Sequence, residues 1–219
     1  MSVGVKVCGL STSETIDAAV SHGALFVGFV FYGRSPRVVT PAQAHKLAYH
    51  VPPQVQSVGL FVDVDDATIG HTLEQAPVRL LQLHGDETPE RCYAIRQHFQ
   101  RPVMKAIRVS TSADVEQAQR YVGAVDWLLF DAKVVSPDTH QTALPGGNGI
   151  SFDWTILAGR QWPIPWMLAG GLTADNLGAA VKITGAKFVD VSSGVETGPG
   201  IKSKYMIREF LDIARELKT

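Results

Sequence analysis

The chain has 219 residues, 45% of them apolar, which is enough for one large α/β core. Twenty Lys and Arg face 21 Asp and Glu for a formal charge of −1, with no basic stripe or block of like charge. That balance argues against a nucleic-acid or membrane-surface partner. The most apolar run, 24–31, is eight residues long, against the roughly 20 that a membrane helix needs. No basic-then-apolar leader opens the chain, and two cysteines make no disulfide framework, so the expected location is the cytoplasm.

Short β-rich apolar runs alternate with helical patterns from one end to the other. Taken in order, strands are expected at 5–8, 25–29, 56–61, 80–83, 103–106, 127–131, 166–169 and 188–191. The helical stretches between and after them are 13–21, 41–50, 65–74, 89–98, 113–121, 152–157, 174–183 and 202–217. Thr40-Pro41 and Thr88-Pro89 each offer an N-cap followed by proline at the first helical position. Eight strand–helix pairs predict a parallel sheet closed into a single (β/α)8 TIM barrel spanning 1–219. An open doubly wound sheet would carry a glycine-rich first turn, whereas the first turn here is Cys8-Gly9-Leu10. No zinc spacing, phosphate-binding P-loop or dinucleotide fingerprint occurs. The one long irregular stretch, 132–149, is of a length that usually carries function or motion.

In such a barrel the chemistry sits where the strands end at their C-termini. Those positions hold Cys8, Arg34 and Arg37, His84, Asp131, Gly146-Gly147-Asn148-Gly149, Gly170-Gly171 and Ser192-Ser193-Gly194. The loops after strands seven and eight are where barrels hold phosphate, and small residues there let backbone N–H groups approach an anion. Gly170, Gly171, Ser193 and Gly194 are therefore the phosphate candidates.

Strand alternation puts Lys6 and Cys8 on one face and Val5 and Val7 on the other, which sends Lys6 and Cys8 into the barrel. A buried lysine needs a partner, and Asp190 on the neighbouring eighth strand supplies one. Cys8 is either a small buried hydrophobe or a thiol that a nearby cation keeps as thiolate. Asp131 is either an acid or ligand at the active rim, or a carboxylate that caps the next segment or pairs with Lys133. Arg37 is either a two-pronged carboxylate clamp or a solvated loop residue. His84 either lines the pocket or caps its strand, and Cys92, in a helical pattern, is structural.

Nine segments in register then carry a resemblance over nearly the whole chain. They are Lys6-Val7-Cys8-Gly9-Leu10, Gly28-Phe29-Val30-Phe31, Ser35-Pro36-Arg37, Gly59-Leu60-Phe61-Val62 and Leu81-Gln82-Leu83-His84-Gly85. Phe130-Asp131, Gly146-Gly147-Asn148-Gly149 with Phe152-Asp153-Trp154, Ala169-Gly170-Gly171-Leu172, and the run from Asp190 to Glu196 complete them. Together they resemble the phosphoribosylanthranilate isomerase family of tryptophan biosynthesis. The resemblance implies a ribulose-phosphate-type barrel that performs an Amadori rearrangement of N-(5-phosphoribosyl)anthranilate. By the same resemblance Cys8 is the general base, Asp131 the general acid, and Arg37 the contact for the anthranilate carboxylate. His84 joins the substrate site. Backbone of the loop containing Gly147 and Gly149, of Gly170-Gly171 and of Ser193-Gly194 grips the phosphate.

The implied partner is a small phosphosugar, with no cofactor or metal, and both monomer and homodimer are compatible. Two features depart from the family pattern: a long 132–145 loop, and Asn148 where many members have Ser or Thr. Both bear on loop closure and affinity rather than on reaction type. The sister isomerase of histidine biosynthesis uses aspartate where Cys8 stands and shows a half-barrel repeat absent here. A barrel that binds such ligands without turning them over would bind product yet show no turnover.

Overall fold

The computed structural model describes residues 2–133, 146–147, 149 and 151–218. Eight parallel strands close on themselves in chain order: β1 Gly4–Cys8, β2 Phe26–Val30, β3 Gln56–Phe61, β4 Leu80–Leu83, β5 Val103–Val109, β6 Trp127–Ala132, β7 Trp166–Leu168 and β8 Phe188–Val191. Closure is made by β1 against β8, with Lys6 opposite Asp190. Nearly every strand residue is buried, the pattern of strands covered on both faces.

The helices are α1 Ser13–Ser21, α2 Pro41–Ala48, α3 Asp66–Gln75, α4 Pro89–Phe99, α5 Ser112–Gln117, α6 Ala174–Thr184 and α7 Lys204–Glu216. Their starts are set by capping side chains. Thr12, Thr40, Asp65, Thr88 and Ser203 each accept a hydrogen bond from a backbone N–H in the first turn. In α7 the buried residues Ile207, Phe210, Leu211 and Ala214 recur at helical spacing and press one stripe on the barrel.

The core divides into two layers. Val5, Val7, Val27, Phe29, Phe61, Leu81, Leu83, Leu128 and Phe130 face outward to the helices. Inside the barrel, Val58, Leu80, Met104, Ala106, Leu129, Met167 and Ala169 fill the lower interior with Phe26. Phe26, Trp127 and Phe188 meet edge to face there, at centroid separations of 5.0–6.3 Å. The interior is therefore plugged at one end, and ligand-sized space remains only towards the C-terminal ends of the strands.

Four expectations need correction, the first being the helix at 113–121, which is α-helical only over Ser112–Gln117 and finishes as a 3-10 turn, Ala118–Tyr121. The pattern at 152–157 forms only a 3-10 turn, Trp154–Leu157, started by Asp153 accepting from the Thr155 N–H. The stretch is too short to nucleate an α-helix unaided. Strand β5 runs on to Val109 because β6 continues beside it, pairing Ile107 with Phe130 and Val109 with Ala132. The last helix begins at Lys204, since Ile201–Lys202 (β10) pairs antiparallel with Glu196–Gly198 (β9). The long 132–145 loop falls outside the described residues from 134 onward, as does Asn148.

Candidate active site

The inward positions of successive strands meet at one rim and line a cavity that opens to solvent. Cys8, Arg37, His84, Asp131, Gly147, Gly170, Gly171 and Ser193 all line it. Gly149 and Gly194 do not: Gly149 is exposed, and Gly194 lies behind the wall. A Cβ on Gly194 would collide with the carbonyl oxygen of Leu172, so the loop after β8 rests directly on the loop after β7.

Lys6 and Asp190 face each other below the cavity, Nζ to Oδ1 at 2.8 Å, with the lysine wholly buried. Burial opposes the Lys6 charge, yet Asp190 and Cys8 outweigh it and hold the ammonium above its ordinary range. The neighbouring Cys8 thiol behaves otherwise than the sequence suggests. Lys6 does pull it down, but burial dominates and pushes it above its usual 9.0. Cys92 is buried in α4 with its thiol pushed up to about 12 by burial, as befits an inert structural residue.

Across the cavity, Asp131 ends the inward face of β6. Its Oδ1 accepts the Ala132 N–H at 2.9 Å, and its Oδ2 lies 3.2 Å from His84 Nε2. His84 Nε2 has no aligned hydrogen-bond partner among the described residues, while Nδ1 lies 3.1 Å from Gln82 Nε2. Gly146 covers the pair, and a Cβ there would sit 2.6 Å from Asp131 Oδ2 and 2.7 Å from His84 Cε1. Lys133 pairs with Asp114 at 3.3 Å, so the Asp131–Lys133 pairing considered from sequence does not form.

Arg37 is neither solvated nor an open clamp. Its Nε and Nη2 donate to the two carboxylate oxygens of Glu196, each at 2.7 Å, and Nη2 also donates to Gly147 O at 3.1 Å. Nη1 donates to no acceptor among the described residues. Lys202, buried in β10, donates to Glu196 Oε1 at 2.6 Å and to Ser192 O and Oγ at 2.9 and 3.1 Å. Sequence reading missed Lys202, placing it at a helix start. The signal that could have found the hairpin is Gly198-Pro199-Gly200, a turn sequence.

Elsewhere in the site the N–H groups of Gly170, Gly171 and Ser193, and of Gly194 behind them, donate to no acceptor among the described residues. Clustered free donors of this kind make an anion site. No group of three His, Cys, Asp or Glu side chains able to hold a metal occurs among the described residues, and no helix there is long and apolar enough to cross a membrane. The arrangement can bind one anion at the glycine walls and a second near Arg37, with a thiol and a carboxyl group between them.

A family model described as N-(5'phosphoribosyl)anthranilate (PRA) isomerase matches residues 5–213. The chain is 52% identical over 215 residues to N-(5'-phosphoribosyl)anthranilate isomerase of Paramagnetospirillum magneticum, covering 98% of each. Among solved structures, the phosphoribosyl anthranilate isomerase of Thermotoga maritima matches with a TM-score of 0.86 at 34% identity, over 98% of this chain and 100% of that one. A phosphoribosyl anthranilate isomerase in complex with reduced 1-(o-carboxyphenylamino)-1-deoxyribulose 5-phosphate matches with a TM-score of 0.82 at 32% identity, over the same shares.

Proposed function

The chain belongs to the N-(5'-phosphoribosyl)anthranilate isomerase family, and from that premise we propose that Cys8 and Asp131 drive an Amadori rearrangement of N-(5-phosphoribosyl)anthranilate. The protein is an isomerase of tryptophan biosynthesis. The observation that carries the residue assignment is the shared cavity, in which a thiol and a carboxyl group stand between Arg37 and a wall of free backbone donors.

Asp131 gives a proton to the ribose ring oxygen as the bond from that oxygen to C1 breaks, leaving an imine at C1. Cys8, as thiolate, takes the proton from C2 of this protonated imine, and the resulting enolamine becomes the C2 ketone as C1 accepts a proton and the C2 hydroxyl gives one up, which restores Cys8 and Asp131 to their starting states. The product is 1-(2-carboxyphenylamino)-1-deoxyribulose 5-phosphate, and no atom enters or leaves overall. Gly170, Gly171, Ser193 and Gly194 hold the phosphate through N–H groups, with Gly149 beside Ser193 on the same side, while Gly147 lies against Arg37. Arg37 offers Nη1 to the anthranilate carboxylate, and His84 presents Nε2–H to the substrate beside Asp131. The residues 1–219 act as one barrel unit. A turnover assay with freshly made phosphoribosylanthranilate, followed by loss of substrate fluorescence, tests the reading. Binding of product without turnover would overturn it.

Two substitutions probe the ends of the substrate. Gly194→Ala forces the Leu172 carbonyl and the β8 loop apart, so the Michaelis constant should rise about tenfold or more and phosphate should inhibit less well. An unchanged constant would remove Gly194 from the phosphate site. Arg37→Lys keeps the charge but loses the planar fork, so kcat/KM should fall about tenfold or more. Full activity there would show that Arg37 takes no part in binding.

A further inference from the structure

Glu196 sits at the centre of a buried charge network that the reaction as written does not use. Its carboxylate accepts from Arg37 Nε and Nη2, from Lys202 Nζ, and from the Gly200 N–H at 3.3 Å. The side chains of Arg37, Glu196 and Lys202 are 6%, 4% and 1% exposed, so little of this is screened by water. Lys202 continues the chain to Ser192, whose Oγ donates to Cys8 O at 3.2 Å. Arg37 and Lys202 come from opposite ends of the chain, and Glu196 is what they share.

Geometry decides what this leaves for a ligand. Arg37 has five N–H donors. Glu196 takes the side of the guanidinium bearing Nε and one Nη2 hydrogen, and Gly147 O takes the other Nη2 hydrogen. Only Nη1 is left, and the planar group can turn no other edge to the cavity while Glu196 holds it. Charge points the same way. Burial pushes the Glu196 carboxyl up, but the bonds from Arg37 and Lys202 outweigh it and keep it ionised. Within the Arg37–Glu196–Lys202 cluster, two buried cations then stand against one carboxylate. The surplus positive charge lies on the Arg37 side, where a ligand anion can neutralise it.

We propose that Glu196 is a specificity-determining positioning residue: it locks the Arg37 guanidinium so that Nη1 alone reads the carboxylate on the aromatic ring of the substrate. This rests on the assignment of Arg37 to that carboxylate. Glu196 touches no reacting atom and acts through Arg37. Its removal therefore weakens recognition of the carboxylate more than it slows the chemistry.

The test compares two ligands, reduced 1-(2-carboxyphenylamino)-1-deoxyribulose 5-phosphate and its phenylamino counterpart lacking the carboxylate. The readout is the ratio of their dissociation constants. Glu196→Gln should lower the wild-type preference for the carboxylated ligand about tenfold or more. KM should rise more than kcat falls, and inhibition by inorganic phosphate should be unchanged. Arg37→Ala should remove the preference, and adding Glu196→Gln to it should change the ratio no further. Glu196→Asp keeps the charge but withdraws it by a methylene, so the preference should stay low. That variant carries the same readout if Glu196→Gln does not fold. Loss of the preference in Arg37→Ala with its retention in Glu196→Gln would sink the role of Glu196 and spare that of Arg37. A wild-type ratio in Arg37→Ala would overturn both. Equal weakening of both ligands and of phosphate in the Glu196 variants would show a purely structural residue, and full rescue by aspartate would show that charge without positioning suffices.

Discussion

Cys8→Ala and Asp131→Asn are each expected to lower turnover by about 10²–10⁴-fold, the usual worth of a positioned proton-transfer group. Ring opening needs a proton delivered to oxygen and the rearrangement needs one removed from carbon, so neither group replaces the other. Both side chains are small parts of the cavity wall, so ligand binding should change far less than turnover. The pH profile supplies a second check on Cys8. Its thiol is held above 9.0, mainly by burial and despite Lys6. The thiolate fraction in the free enzyme therefore grows with pH throughout the neutral range. Accordingly alkylation of Cys8 by iodoacetamide in the free enzyme, which needs the thiolate alone, should quicken with pH and not level off below pH 9.0. A plateau already reached near neutrality would show that Lys6 outweighs burial and holds Cys8 as thiolate. Near-normal turnover in a folded variant would remove the substituted residue from the mechanism.

The second large effect is on stability. Lys6→Met should cost about 3–5 kcal/mol, because the Asp190 carboxylate is left in the barrel without its cation. Against a total stability of about 5–15 kcal/mol, the variant should be only marginally folded at ordinary temperature. Replacing both partners with apolar residues, Lys6→Met with Asp190→Leu, should recover much of that loss, since no unpaired charge then remains. Denaturant unfolding of the two variants decides the matter. A loss below about 1 kcal/mol in the single variant would mean that water reaches Asp190 from the cavity and that the pair contributes no more than a surface ion pair.

Much of this molecule was legible before any coordinates. Period-two alternation at 5–8 turns Lys6 and Cys8 inward, and the barrel pairs Lys6 with Asp190 as that parity requires. The same parity carries His84 and Asp131 to one rim. These readings succeed because strand alternation and capping are local: a few residues decide which face a side chain takes and where a helix starts. Local signals failed where neighbours decide. The Glu196–Gly198 and Ile201–Lys202 hairpin captures a lysine that the local pattern assigns to α7.

What the sequence determines by itself, then, is the strand count, the closed barrel and the list of groups able to do chemistry at its rim. Tertiary structure alone decides the state of those groups. Lys6 stands two residues from Cys8 in the chain, and on that evidence the thiol should be lowered; it is raised, because desolvation by the whole barrel exceeds one favourable charge. Arg37 has nothing near it in sequence to occupy its fork. Glu196, 159 residues away, takes two of its donors once the β8–α7 connection folds back over the β2 loop. Burial and long-range pairing are sums over many distant residues, and no window of sequence contains them.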